Sequence, residues 1–201
     1  MTTPRDLLII AMDAASERPL EQGDLSLALA GAEVIDLLRA QAIRLDGDRI
    51  VPGEPSAIAD RLLDEAASSL ARQEPYESVG DWLWRRGRGL SSAYLGALEG
   101  EGLLTRQRRR WTPFRTAQMV LVDSPARRLA VHRWTSGEPV LAALAAAIGI
   151  GGQPTEDSPT VVDDPVATVL AAVHDALREL GGVRQRRTLD EAAFDNIWRG
   201  D

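Results

Sequence analysis

Between Leu25 and Leu38 almost every side chain is apolar or small, and Ser26, Glu33 and Asp36 are the only polar ones. A helix that is apolar on nearly all sides has no face to give to solvent, so it must be surrounded by other elements. The expected fold class is therefore mainly α: a helical bundle around this central buried helix, with two small β-hairpins. Asp36 stands one turn from Arg39 and reads as half of a salt bridge at the rim of the bundle.

The rest of the chain supplies the surround. Thr3-Pro4-Arg5-Asp6 is a helix start, with Thr3 as N-cap and Pro4 in the first turn, followed by Leu7, Leu8, Ile10 and Ala11. After the central helix, Ala42 to Leu45 and Asp48 to Val51 flank Asp46-Gly47, a strong short-range hairpin signal. Ile58, Leu62, Leu63, Ala66, Ala67 and Leu70 trace the stripe of a further helix, closed by Pro75. Two short helices are expected from the spacing of Val79, Trp82, Leu83 and Arg86 and of Leu90, Tyr94, Ala97 and Leu98, separated by Gly87 and Gly89. Gly100 and Gly102 stop the second, and a basic hairpin follows, with Leu103 to Arg110 and Thr116 to Val122 as its extended arms. Ser124-Pro125 opens another helix, with Leu129 and Trp134 toward the core, and the alanine-rich run from Val140 to Ile148 should be buried.

The composition changes after Gly149, where Gly, Pro, Thr, Ser and four acids occupy the stretch to Asp164. The organisation expected is a helical domain over residues 1–150, an acidic linker over 151–164 and a C-terminal helical tail over 165–201. In the tail, Val166, Val169, Leu170, Val173, Leu177 and Leu180 form an amphipathic helix ended by Gly181-Gly182, and Thr188-Leu189-Asp190-Glu191 is a capping box for a last short helix. The tail can dock on its own bundle or on another subunit.

Charge is sorted along the chain. Residues 82–133 hold eleven arginines against Glu99, Glu101 and Asp123, a local balance of +8, whereas the whole chain carries −7. The remainder must therefore carry −15, which places a positive face on an acidic body. Arginine forks bind phosphate oxygens in pairs, and aromatic side chains beside cations suit a bilayer interface. The candidate anionic-lipid site is Arg85, Arg86, Arg88, Arg108, Arg109, Arg110 and Arg115, with Trp111 and Phe114 at the hairpin tip and Arg127, Arg128 and Arg133 available to extend the face. A solvated basic hairpin whose aromatics pack inward is the plainer alternative.

Other chemistry is poorly supported. Cysteine is absent, which removes disulfides, thiol nucleophiles and thiolate metal sites. All 23 basic residues are arginine, so Schiff-base chemistry and a Walker P-loop, which need a lysine amine, are excluded. His132 and His174 lie in separate amphipathic helices with no acid spaced to orient them, and each reads as a surface residue. Gly149-Ile150-Gly151-Gly152 follows a helix, where a dinucleotide loop would follow a strand. No enzyme, cofactor, metal or catalytic residue is expected. The amino terminus lacks a basic leader and no apolar run is of spanning length, so a cytoplasmic protein, reversibly membrane-associated, is the expectation.

Four stretches in order resemble the Golgi phosphoprotein 3 family, in its bacterial members: Asp6 to Ala11, Leu29 to Leu37 before a short hairpin, Leu62 to Ala66, and Leu98 to Thr105 before a basic hairpin. The resemblance covers about residues 3 to 150. It implies a largely helical, non-enzymatic peripheral membrane protein that binds phosphatidylinositol 4-phosphate, holds client proteins and makes oligomer contacts through a hairpin, here Arg106 to Val122. It also implies a membrane-facing site near the start of the central helix and at the helix preceding the basic hairpin. Carried onto this chain, the family tryptophan before the central helix falls on Glu21, the arginine within that helix on Ala30, and two arginines one turn apart on Arg88 and Ser91. Arg88 is the one ligand position kept. Attraction of the arginine face to anionic lipid, at about 1 kcal/mol per basic group, does not depend on the other three.

A second reading comes from a different class. Helix, helix, strand, tip and strand with arginines on strand and tip also outline a winged helix, with Leu90 to Leu98 as recognition helix. That helix holds no basic residue, and Glu99 and Glu101 follow it directly and oppose phosphate. Nucleic acid is therefore the less favoured partner.

Overall fold

The computed structural model describes residues 2–15, 20–54, 58–107, 118–151 and 164–198. Among them are eight helices: α1 (Thr3–Ala14), α2 (Gln22–Arg39), α3 (Arg61–Ser68), α4 (Val79–Arg86), α5 (Leu90–Gly100), α6 (Pro125–Thr135), α7 (Pro139–Ala147) and α8 (Asp164–Trp198). Two antiparallel pairs complete the set, β1 (Ile43–Asp46) with β2 (Arg49–Pro52) and β3 (Leu104–Gln107) with β4 (Gln118–Leu121). The fold is mainly α, a bundle around a buried central helix with two small hairpins.

That central helix is α2. Ala28, Leu29, Ala30, Ala32, Val34, Ile35 and Leu37 are fully buried, and each buried Leu, Ile or Val contributes about 1.5–3 kcal/mol. Helices α1, α4, α5, α7 and α8 all pack on it. Gly31 explains how α8 comes so close: a Cβ at that position would stand 2.4 Å from a methyl of Val173. Trp82 is fully buried in α4, and its indole N–H donates to the Ala30 carbonyl at 3.3 Å.

Several local expectations are corrected. The N-cap of α1 is Thr2, because Thr3 is already helical and its N–H and hydroxyl both donate to Asp36 at 2.6 Å. Asp36 thus clamps α1 to α2, and its contact with Arg39 is a distant 4.0 Å. The first hairpin turns one residue later than Asp46-Gly47: Asp46 pairs with Arg49, and Gly47 takes the first central position at φ +60°. This register sets Leu45 opposite Ile50, which is buried with Ile43. Helix α3 is shorter than the stripe from Ile58 to Leu70 predicts, since the Asp60 carboxylate caps it by accepting from the N–H groups of Leu62 and Leu63. Leu129 points outward at 46% exposed, and Ala130 takes the inner position of α6.

The tail is also corrected. Helix α8 runs unbroken through Gly181-Gly182 and Thr188 as one 35-residue helix. Its first half lies in the common core through Val166, Val169, Leu170, Val173 and Ala176. Packing on α2 and α4 carries the helix through two glycines that propensity alone would make a stop. The linker expected over residues 151–164 falls almost wholly outside the described residues.

Candidate functional site

Arg85, Arg86 and Arg88 stand together in sequence, and the fold sends them three ways. Arg85 lies along the surface, with its Nε and one terminal nitrogen each 2.7 Å from a Glu77 oxygen and its guanidinium 5.0 Å from the Trp82 ring centre. Arg86 turns inward. Its Nε and Nη2 donate to the two oxygens of Glu33 at 2.8 and 2.9 Å, and Nη2 also donates to the Leu62 carbonyl at 3.0 Å. The Tyr94 hydroxyl donates to the same carboxylate at 3.1 Å. Glu33 is fully buried, and burial pushes its carboxyl up from the ordinary range against the pull of Arg86 and Tyr94.

Arg88 is different. Two glycines place it: a Cβ at Gly87 would come 2.5 Å from the Leu83 carbonyl oxygen, and Gly89 caps α5 at φ +71°, a conformation that favours glycine. The turn between α4 and α5 is consequently tight and pressed against α2, and Arg88 projects from it into solvent. Six arginines of the basic stretch have described side chains: Arg85, Arg86, Arg88, Arg127, Arg128 and Arg133. Among these, Arg88 alone has no carboxylate partner.

Arg88 stands at a cleft of about 330 Å³. One wall is the first turns of α2, from Gln22 to Leu27; the second is the α4–α5 turn with Trp84 and Ser92; Leu180 of α8 supplies the third. The floor is tied by serines. Ser91 N–H donates to Ser26 Oγ at 3.1 Å, and Ser26 Oγ donates to Ser91 Oγ at 2.9 Å, with both residues buried. The first turn of α5 therefore borders the cleft, and its dipole adds partial positive charge beside Arg88. Half-buried Trp84 supplies an apolar rim. Chemically, the cleft can receive a small anionic group with an apolar attachment.

The four positions singled out by the family resemblance fall in or around this place. Arg88 and Ser91 line the cleft, and Glu21 is the N-cap residue of α2. Ala30 is fully buried and unavailable to any ligand. Of the remaining predicted residues, Arg108, Arg109, Arg110, Trp111, Phe114 and Arg115 lie outside the described residues. The expected extension of the positive face by α6 is corrected, because Arg127 pairs with Asp13, Arg128 with Asp123 and Arg133 with Asp6. Arg127 and Arg133 are thereby committed to acids of α1, whereas Arg128 and Asp123 form an exposed pair at the surface.

Sequence reasoning overlooked Ser26, Trp84 and Leu180. Trp84 had a visible signal: it falls off the apolar stripe of α4 set by Val79, Trp82 and Leu83, so a large aromatic had to sit at the edge of the core and not within it. Ser26 and Leu180 had none, since only the tertiary fold brings them to the cleft. Among the described residues no cluster of His, Asp and Glu is placed to hold a metal ion, and no helix is long and apolar enough to cross a membrane.

No curated protein matches the chain. A family model, that of Golgi phosphoprotein 3 (GPP34), matches residues 4–192, which takes in α1 through most of α8. With nearly the whole chain covered, from the clamp of α1 on α2 to the helix that walls the cleft, this protein belongs to the Golgi phosphoprotein 3 (GPP34) family.

Proposed function

We propose that the protein is a non-enzymatic adaptor that docks reversibly on anionic phospholipid, with a headgroup phosphate received at the cleft between the start of α2 and the α4–α5 turn. The observation that carries this reading is Arg88, the unpartnered arginine among those described in the basic stretch, held by Gly87 and Gly89 at the mouth of the cleft. Phosphatidylinositol 4-phosphate is the headgroup that family membership favours. Arg85 keeps 45% of its side chain exposed and can add to the attraction at the rim. Arg86 is committed to Glu33 and enters the reading only by holding α4 in place. Arg108, Arg109, Arg110 and Arg115, with Trp111 and Phe114, join the proposal on their sequence chemistry as a second, less selective membrane contact.

Co-sedimentation with vesicles tests it. Wild-type protein is expected to pellet with phosphatidylcholine vesicles containing phosphatidylinositol 4-phosphate, and Arg88→Gln to lose most of that binding. Replacing Arg108, Arg109 and Arg110 together with alanine should weaken binding to every anionic vesicle alike. Equal binding of wild type and Arg88→Gln would sink the assignment of the cleft. Tight, steeply salt-dependent binding to DNA with no affinity for vesicles would favour the winged-helix reading instead.

A further inference from the structure

Beside the cleft lies a second cation that the basic stretch does not contain. Arg184 is one helical turn beyond Leu180 on α8, and its guanidinium reaches the start of α2, 2.9 Å from where a Cβ at Gly23 would be. There Nη1 donates to Asp24 at 2.7 Å, and Nη2 stands 3.9 Å from Glu21. Gly23 lines the cleft next to both acids. Arg88, from the α4–α5 turn, lines the cleft, and Arg184, from α8, stands beside it at Gly23, where two carboxylates cancel its charge.

We infer that Arg184 is a specificity-determining residue of the cleft, held in reserve by Asp24 and Glu21, and that a phosphorylated lipid headgroup competes with these carboxylates for its guanidinium. The inference rests on the membrane-docking reading above. Three features support the exchange. The pair is partly open to water, with Arg184 36% and Asp24 28% exposed, so solvent has already weakened it. Arginine pairs with phosphate oxygens through the same fork that it offers a carboxylate. Gly181 and Gly182 lie just before Arg184 with nothing within 4 Å of where their Cβ atoms would be, so there is open space beside this turn of α8 for the side chain to re-aim. Arg88 and Arg184 against Glu21 and Asp24 sum to zero, so Arg184 can serve an anion at the cleft only by turning away from these carboxylates.

The test is a double-mutant cycle read by co-sedimentation with phosphatidylcholine vesicles containing phosphatidylinositol 4-phosphate, each variant first confirmed as folded by its thermal melt. Asp24→Asn keeps the shape of the acid and removes its charge, and it is expected to tighten binding about fivefold, the gain of one freed basic group near an anionic surface. Arg184→Gln should weaken binding by a similar factor. In the double variant the gain from Asp24→Asn should vanish. An Asp24→Asn variant that binds like wild type overturns the reserve role, and so does a gain of equal size with Arg184 replaced, which would be a bulk-charge effect. Arg88→Gln reports separately on the cleft: loss there with a flat response at Asp24 keeps the docking reading and discards this one.

Discussion

Two arginines two positions apart show how little a residue's identity says about its task. Arg86 ends in a buried carboxylate, whereas Arg88 ends in water at a cleft. Removing one partner of a buried pair leaves the other charge uncompensated, so Arg86→Ala is expected to destabilise the fold by about 3–5 kcal/mol. Arg88→Gln should change stability by no more than about 0.5 kcal/mol, because it breaks no contact. Urea unfolding of the two variants checks this, and similar midpoints would contradict the division of labour. The pair was half legible. Acids in a run as apolar as Leu25–Leu38 demand partners, but nothing in the spacing names Arg86 over Arg85 as the one for Glu33. The inward turn of Arg86 follows from the crossing of α4 over α2, a non-local fact.

At the scale of elements, the telling contrast is between glycines on the two interacting helices α2 and α8. Gly31 exists for close approach, and its replacement by alanine would drive a methyl into buried Val173. Overpacking of this kind costs about 1–3 kcal/mol, against a helix-propensity gain of about 1 kcal/mol. Gly31→Ala should therefore be destabilising on balance. Gly181 has free space around it in the middle of α8, so Gly181→Ala should stabilise by about 0.5–1 kcal/mol. Thermal melts of the two variants should move in opposite directions, and a rise for both would mean that α8 is not seated on α2 as described. The existence and order of the helices were legible from apolar spacing and caps, and so was the pair of hairpins. The continuity of α8 was not, because Gly181-Gly182 carries the local signature of a stop and only packing of the preceding turns overrides it.

For the molecule as a whole, three carboxyls matter to its pH response. Asp6, Glu33 and Asp36 are each raised above the ordinary range, with burial the leading cause in all three, and one oxygen of Asp6 finds no hydrogen-bond partner. A carboxyl raised on folding binds its proton more tightly in the folded state, so its contribution to stability is full below the unfolded value of about 4 and is lost as pH rises through the folded value. Glu101, lowered by its bond to Arg5, acts in the opposite sense from a more exposed position. The urea midpoint is therefore expected to hold or rise as pH falls from about 8 toward about 5.5, just above the sequence pI near 5.0. A midpoint that drops steadily over that interval would show these carboxyls to be stabilised as anions instead.

What the sequence determined by itself was whatever depends on neighbours along the chain: the buried central helix, the two hairpins, the cap at Ser124, the basic stretch and the resemblance that the family match bears out. Tertiary structure alone decided which charges are spent and which are free. Arg127, Arg128 and Arg133 look like part of a positive face until α6 is laid beside α1, where Asp13 and Asp6 take up two of them. Arg184 looks like one basic residue among several in a polar tail until α8 sets it against Asp24. An ion pair forms over a few ångströms regardless of separation along the chain, and charge counting along a sequence has no access to that distance.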